Sequence, residues 1–511
     1  TLSVASYKSD PSNANRRTLS DKLQPDTFIP SSKADNVLDA MRTISESTVS
    51  DDMIGDFIDA LPSTGYQKIS LIFGLLGRDW IQNIAMNNNV YHKAFNSILA
   101  NLLLHSGVIS SATDLGDLSD LEISDSTTRD SLLEMLFGVS SGIDVILLGP
   151  LPTPGVSFLA NSNKQVGVVI TASHNLFEDN GIKFFNKDGQ KFSSELERRI
   201  ETKLSEEIES VKSINLGKAR RMNDAQGRYI EFCKSHFKDL DLNGLSLLLD
   251  CAHGATYSVA PKVFEELGAK VTTIGTEPDG VNINQNCGPT NPEFIREEIL
   301  KGDYNLGISF DGDGDRILLV SSTGKILDGD DLLYILSKNL HKESGVVGTL
   351  MTNKALELYF KEMNIDFFRA DVGDKYVLQK LLEENWVLGG EPSGHIICLD
   401  TAPTGDAIVA ALKLLNSIKD INFNVDESIR NFVKFPQTLI NLSVDNPNKI
   451  IITDKFWSEV TYIESRLREK GRVLIRPSGT EPLIRIMVES ENEKDSEDYS
   501  NRLADLASKL C

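Results

Sequence analysis

The 511-residue chain contains no stretch approaching the roughly 20 apolar residues of a membrane-spanning helix. Its densest apolar runs, Ile69–Leu76 and Ile98–Leu104, are broken by polar residues within a turn or two. Basic residues are also scarce: 52 Lys and Arg stand against 74 Asp and Glu, a net charge of −22. Nucleic-acid binders need a basic footprint to neutralise phosphates, so that class is set aside, while one local basic pocket for a phosphorylated metabolite is not. Cysteine is sparse. The five present (Cys233, Cys251, Cys287, Cys398, Cys511) are odd in number and scattered, with no CxxC pair, so they read as free thiols of a reducing compartment. The opening residues TLSVASYKSDPSNANRR lack the basic-then-apolar order of a secretory signal. The expectation is a cytoplasmic, soluble, multidomain protein with no nucleic-acid or membrane partner. Its 40% hydrophobic and 25% charged content is ordinary for globular chains.

Two textures follow one another. Residues 1–35 are rich in Ser, Asp, Asn and Pro and read as poorly ordered. From about 36 to 106 the apolar spacing is helical, and residues 108–128, acidic and hydroxyl-rich, read as a loop or linker. After about residue 131 strand-like runs alternate with charged amphipathic helices. The strands are Val145–Leu148, Val166–Ile170, Leu245–Leu249, Lys270–Ile274, Leu306–Phe310 and Arg316–Val320; the helices include Ser194–Val211 and Ala260–Leu267. This alternation predicts α/β domains with covered sheets. From roughly 425 the pattern becomes strand, helix, strand, strand, helix (Gln437–Val444, Asp454–Lys470, Arg472–Ile475, Ile484–Glu489, Glu493–Lys509), a small α+β domain.

Four loops carry chemistry. The first is Asp311-Gly312-Asp313-Gly314-Asp315-Arg316, between two apolar strands. Carboxylates at every second position, with glycines between, aim several oxygens at one point and repel one another unless a hard cation such as Mg²⁺ sits there. An EF-hand would want Gly where Arg316 stands and Glu where Ser322 stands, and is rejected; a solvated acidic turn is the bland alternative. The second is Thr171-Ala172-Ser173-His174-Asn175 with Asn180-Gly181-Ile182-Lys183 beyond it. A serine at a strand's end beside a histidine is placed to carry a phosphoryl group, or is plain turn chemistry. The third, Gly389-Gly390-Glu391-Pro392-Ser393-Gly394-His395, offers Glu391 and Ser393 to sugar hydroxyls and His395 to proton transfer, unless His395 is a buried structural residue. The fourth, Arg476-Pro477-Ser478-Gly479-Thr480-Glu481-Pro482 with Arg485, combines two arginines, two hydroxyls and a glycine into a phosphate cradle, a plain turn being the bland alternative.

At these residues the chain resembles the α-D-phosphohexomutase superfamily, and within it the bacterial phosphoglucosamine mutase family. The supporting text is LLGPLPTPGV (147–156), GVVITASHNLFEDNGIKFF (167–185), LLDCAHGATYSVAPKVFEELGA (248–269), DGVNINQNCG (279–288), FDGDGDRILLV (310–320), VGTLMTN (347–353), VGDKYVL (372–378), GGEPSGHI (389–396) and RPSGTEPLIRIMVE (476–489). It covers about residues 131–511. The resemblance implies three α/β domains and a C-terminal α+β phosphate-binding domain. They would span 121–198 (the remainder of domain 1, with the phosphoserine loop), 199–325 (metal loop), 326–425 (sugar loop) and 426–511 (phosphate loop). It implies phosphoryl transfer between the 6- and 1-positions of glucosamine phosphate, through a phosphoserine and a bisphosphorylated sugar. Ser173 would bear the phosphoryl group and, with Asp311, Asp313 and Asp315, ligate one Mg²⁺; a sugar 1,6-bisphosphate would act as activator and intermediate. Arg316 would stabilise the transferring group, and Lys183 and His395 would move protons. His174 and Lys375 would line the site, Glu391 and Ser393 would grip sugar hydroxyls, and Arg476, Ser478, Gly479, Thr480 and Arg485 would hold the phosphate that is not reacting.

Two departures accompany the likeness. Leu176 stands where the family has Pro, and residues 1–120 show neither the glycine-rich first loop nor the first strand of the family's domain 1, so helical sequence of unread role is expected there. The alternatives left open are a phosphoglucomutase or phosphomannomutase, and a catalytically impaired paralogue that binds phosphosugar while its N-terminal helices bind a partner. Oligomeric state, monomer or homodimer, is not legible.

Overall fold

The structure is a computed structural model that describes residues 142–203, 217–341, 344–444, 453–477 and 483–510. The expectations for residues 1–120, the distal part of the helix expected to Val211, and loop residues 478–482 lie outside the described residues.

The chain enters at strand β1 (Val145–Leu147), which pairs in parallel with β4 (Ala219–Arg221). Between them come helix α1 (Thr153–Asn163), the antiparallel pair β2 (Gly167–Thr171) and β3 (Gly181–Phe185), and helix α2 (Ser194–Lys203). After α3 (Ala225–Ser235), a five-stranded sheet runs in the order β6-β5-β7-β8-β9. Its members are β5 (Ser246–Asp250), β6 (Lys270–Ile274), β7 (Leu306–Phe310), β8 (Ile317–Ser321) and β9 (Ile326–Leu327), with α4 (Ala260–Glu266) and α5 (Pro292–Lys301) in the connections. Every residue of β7 and β8 is buried, which explains why their text is mainly apolar without polar alternation: strands covered on both faces lose it. These two strands are antiparallel, with Phe310 opposite Ile317, so Asp311–Arg316 is the turn that joins them.

Helix α6 (Gly329–Ser337), capped by Asp328, leads to a second sheet of order β11-β10-β12-β13. It is built from β10 (Val346–Thr349), β11 (Phe367–Ala370), β12 (Leu388–Gly390) and β13 (Ile396–Cys398), with α7 (Lys354–Met363), α8 (Asp374–Glu384) and α9 (Ala407–Ile418) packed around it. One apolar core runs from Leu151 and Val156 through Tyr229, Leu247, Ile308 and Ile317 to Leu332 and Leu412, so these α/β units share an interior.

The C-terminal unit has a core of its own around Phe456, Ile463, Ile484, Ile486 and Leu503. Its antiparallel sheet, β14 (Gln437–Ser443), β16 (Leu483–Ser490) and β15 (Gly471–Pro477), is backed by α10 (Asp454–Leu467) and α11 (Glu493–Leu510). It meets the preceding unit through polar contacts. Arg472, on β15, faces Glu489 directly across on β16 and pairs with it at 2.7 and 3.1 Å. The same guanidinium donates to the carbonyls of Leu350 and Thr352, at 2.7 and 2.8 Å, and Glu489 accepts from the Lys354 amide at 3.0 Å. No described helix is long and apolar enough to cross a membrane. Cys233, Cys251, Cys287 and Cys398 are buried free thiols.

One seam between α/β units carries a testable charge. Asp406 caps α9 by accepting from the Val409 amide at 3.0 Å, and it accepts the Tyr229 hydroxyl of α3, also at 3.0 Å. Both side chains are buried, and burial pushes the Asp406 carboxyl up to about 6 against the opposing hydrogen bonds. A folded-state value above the unfolded one contributes stability that is present at low pH and is lost as pH rises through about 6. Holding the charged form above that pH costs about 3 kcal/mol, taking ~1.4 kcal/mol per pH unit. Asp406→Asn keeps the acceptor for Val409 and removes the charge. It is expected to raise the melting temperature at pH 8 and to leave it nearly unchanged at pH 4.5; an equal shift at both pH values would refute the assignment.

Candidate active site

Apolar strands drive the chain into the interior and the polar turns at their ends converge. Ser173 follows β2 in a left-handed conformation, φ +56°, that L-residues other than Asn and Asp seldom adopt. Its amide donates to Thr171 Oγ1 at 2.9 Å. His174 Nδ1 stands 3.5 Å from Ser173 Oγ, and burial together with the Arg316 charge holds this imidazole below its usual range.

The acidic turn lies against this serine. Asp311, Asp313 and Asp315 are all buried, and one carboxylate oxygen from each falls within 4.8 Å of the others. Asp311 Oδ1 accepts the amides of Asp315 and Arg316, both at 3.0 Å, which closes the turn. Lys183 Nζ, reaching over from β3, lies 2.5 Å from Asp313 Oδ2, 3.0 Å from Asp315 Oδ2 and 3.4 Å from Ser173 Oγ. Thr153 also donates to Asp313 Oδ2. Three buried oxygens (Asp311 Oδ2, Asp313 Oδ1 and Asp315 Oδ1) accept no well-formed hydrogen bond among the described residues, the last having only the long 3.5 Å approach of His395 Nδ1. Buried polar atoms are normally satisfied, and one spare anionic oxygen from each of three carboxylates is the donor set a hard divalent cation takes. The residues therefore fit such an ion. Burial and the neighbouring charges of Asp315 and Asp313 push the Asp311 carboxyl well above the usual range. Asp315 is held well below it because Lys183 and His395 outweigh its burial. Lys183 is raised, its acidic neighbours overcoming desolvation.

The third loop packs edge to edge on the acidic turn, the first of the four. Ile317 donates to the Gly394 carbonyl at 3.0 Å, and Arg316 bridges His395. Gly394 sits at φ +92°, and a Cβ there would come within 2.0 Å of the Ile317 carbonyl oxygen, so no side chain fits. His395 is buried between Asp315 and Asp374, with Nδ1 and Nε2 3.5 Å from their respective oxygens. Burial lowers its basicity, but the two carboxylates prevail and raise it. Asp374 in turn pairs with Lys191. Glu391 is buried and accepts the Gly373 amide at 2.9 Å, while Ser393 is exposed. Arg316 Nε is buried with no hydrogen-bond partner among the described residues.

Not every expected residue joins this cluster. Lys375 Nζ donates to Ser194 Oγ of α2 at 3.1 Å, lies 4.0 Å from Glu197 Oε2 and is half-exposed. Arg476 and Arg485 face each other across β15 and β16, and burial with the Arg485 charge lowers the basicity of Arg476. Like charges opposed on neighbouring strands repel, an arrangement that suits an anion between them. Ser478, Gly479 and Thr480 lie outside the described residues. Four residues of the site were given no role on sequence grounds: Thr153, Lys191, Asn284 and Asp374. Asn284 and Asp374 fall in the DGVNINQNCG and VGDKYVL segments, and Thr153 in LLGPLPTPGV, but nothing in a linear text says what they touch.

Comparison with known proteins matches the geometry. Models of the phosphoglucomutase/phosphomannomutase family match in chain order: alpha/beta/alpha domain I at residues 130–210, domain II at 227–324, domain III at 328–435 and the C-terminal domain at 439–506. A phosphoglucosamine mutase of Legionella pneumophila (strain Corby) is 48% identical over 377 residues, 73% of this chain and 83% of the relative. One from Pseudomonas syringae pv. tomato is 47% identical over 379 residues, 73% and 85% of the two chains. Among solved structures, a phosphoglucomutase/phosphomannomutase family protein from Burkholderia thailandensis superposes with TM-score 0.63 at 23% identity, covering 75% of this chain and 86% of that one. Aspergillus fumigatus N-acetylphosphoglucosamine mutase, solved with GlcNAc-6P and magnesium, does so with TM-score 0.56 at 18% identity, covering 70% and 92%. With four family domains in order and curated relatives near one-half identity over most of their length, the chain belongs to the phosphoglucosamine mutases of the α-D-phosphohexomutase superfamily.

Proposed function

We propose that this protein interconverts glucosamine 6-phosphate and glucosamine 1-phosphate, an intramolecular phosphoryl transfer relayed by Ser173. The observation that carries the reading is the single ammonium of Lys183, which touches the serine hydroxyl and two carboxylates of the acidic turn at once. A hydroxyl, a cation site and a proton-bearing group thus share one small volume. Asp311, Asp313 and Asp315, with phosphorylated Ser173, would hold Mg²⁺, which when bound neutralises charge on the phosphoryl oxygens. Ser173 gives its phosphoryl group to one end of the sugar and accepts the other end's group back, so a sugar 1,6-bisphosphate is both intermediate and activator. Transfer of this kind is chiefly positioning and charge stabilisation, and Arg316, whose buried Nε has a hydrogen bond to give, faces that task. Lys183 and His395 hold protons at the reacting hydroxyls, with His174 beside Ser173. Glu391 and Ser393 take sugar hydroxyls, and Lys375 is the outlying contact. Arg476 and Arg485, with Ser478, Gly479 and Thr480, grip the phosphate at the far end.

A coupled assay with the 6-phosphates of glucosamine, glucose and mannose, each with Mg²⁺ and a trace of bisphosphate, tests the assignment. The glucosamine compound is expected to give a kcat/KM at least about tenfold above the others, since a site built to bond a polar group discriminates against analogues lacking it. Preference for glucose or mannose phosphate would move the chain to a sister activity. Absence of both turnover and phosphoserine would leave a phosphosugar-binding protein.

A further inference from the structure

Outside the residues that meet substrate, one side chain ties the serine loop to the acidic turn. Asn284 lies between β6 and α5, is almost fully buried, and itself sits at φ +57°. Its Nδ2 donates to the carbonyls of Ser173 and Asn175, at 2.8 and 2.7 Å, and its Oδ1 accepts the Gly312 amide at 2.9 Å. The amide orientation is fixed by its surroundings: two acceptors face the nitrogen and one donor faces the oxygen. The Asn284 amide donates to the Ala252 carbonyl at 2.9 Å, which anchors the residue to the loop after β5. The two bolted backbones are pressed together, since a Cβ on Gly312 would lie 2.6 Å from the Ser173 carbonyl oxygen.

We infer that Asn284 is a positioning residue for the phosphoryl relay, setting the distance and aim of Ser173 Oγ relative to Asp311, Asp313 and Asp315. The inference rests on the proposed mutase reading. Ser173 occupies a left-handed backbone conformation that non-glycine residues seldom adopt, which persists only where the surroundings over-determine it. Asn284 does so by holding the carbonyls on both sides of His174. It touches neither the reacting hydroxyl nor the spare carboxylate oxygens, so its effect passes through the loop.

Two variants separate the hydrogen bonds from backbone strain. Asn284→Gly keeps easy access to φ +57° and removes the side chain; Asn284→Asp keeps an acceptor for Gly312 but turns a carboxylate toward two carbonyl oxygens. Both are expected to lower kcat by about 100-fold, the scale of an ångström-level misplacement, with KM for the phosphosugar changed less than about threefold. The rate at which glucosamine 1,6-bisphosphate phosphorylates Ser173, followed by intact mass, should fall in parallel. A merely structural residue would instead lower the melting temperature and the folded yield, leaving kcat per folded molecule unaltered, and that result overturns the inference. The parent chain is assayed alongside: if it neither turns over nor takes up phosphate, the mutase reading fails first; if it does both and the variants match it, only the role of Asn284 fails.

Discussion

Ser173→Ala is expected to lose at least about 10⁴ in kcat and all of the phosphate mass increment carried by the parent chain. The size follows from removing the atom that forms and breaks the covalent bond, since deleting a nucleophile leaves only what binding and charge stabilisation supply. The fold should not notice. Ser173 Oγ makes only long contacts, 3.4 Å to Lys183 and 3.5 Å to His174, and the loop is held by backbone groups that alanine keeps. Lys183 also retains its closer partners, Asp313 and Asp315. A melting temperature within a degree or two of the parent should therefore accompany the loss. Substantial turnover by this variant would mean that some other group carries the phosphoryl, and the relay described above would be wrong.

Asp311→Asn should produce opposite effects on two properties. In chelator it is expected to raise the melting temperature, because it deletes the most deeply buried of three mutually repelling carboxylates. The asparagine oxygen can go on accepting the amides of Asp315 and Arg316, while its nitrogen takes the place of Asp311 Oδ2 and can donate to a neighbouring carboxylate. Activity should fall by at least about 10²–10³, the scale seen when one preorganised electrostatic contributor is removed. The rise in melting temperature that Mg²⁺ confers on the parent should shrink or vanish. Calorimetry with and without Mg²⁺, beside the coupled assay, reads all three quantities. A lower melting temperature in chelator would show that Asp311 is there to bond the turn, not to receive a cation.

Much of this site could be read before any fold was known, for a physical reason. Where carboxylates, glycines and apolar strands stand adjacent in the chain, local constraints already decide the geometry: Phe310 and Ile317 had to be neighbours if both runs were buried strands, and so the acids had to crowd. The same holds for Ser173 at the end of β2. Long-range bonding is different. The contact between Asn284 and Ser173 spans 111 residues, and that between Lys191 and Asp374 spans 183, so neither leaves a periodicity or a spacing in the text. For His395 the sequence supports both structural burial and proton transfer. It is buried, yet between two carboxylates, so neither alternative describes it alone. Lys375 belongs to a recognised segment, and its long side chain donates to Ser194 Oγ on α2, a partner 181 residues away that no spacing announces. The helical spacing noted before residue 107 falls outside the described residues.

Strands β15 and β16 carry two register pairs, Arg472 with Glu489 and Arg476 with Arg485, four residues apart. At the usual rise per residue the pairs are about 13 Å from one another. The first is riveted to the turn at 350–354 of the preceding unit, and the second sets two like charges opposite one another. Geometry alone makes that separation an arm: any tilt of about 10° about the first pair would displace the second by roughly 2 Å, so the position of the two arginines depends on how firmly Arg472 and Glu489 are held.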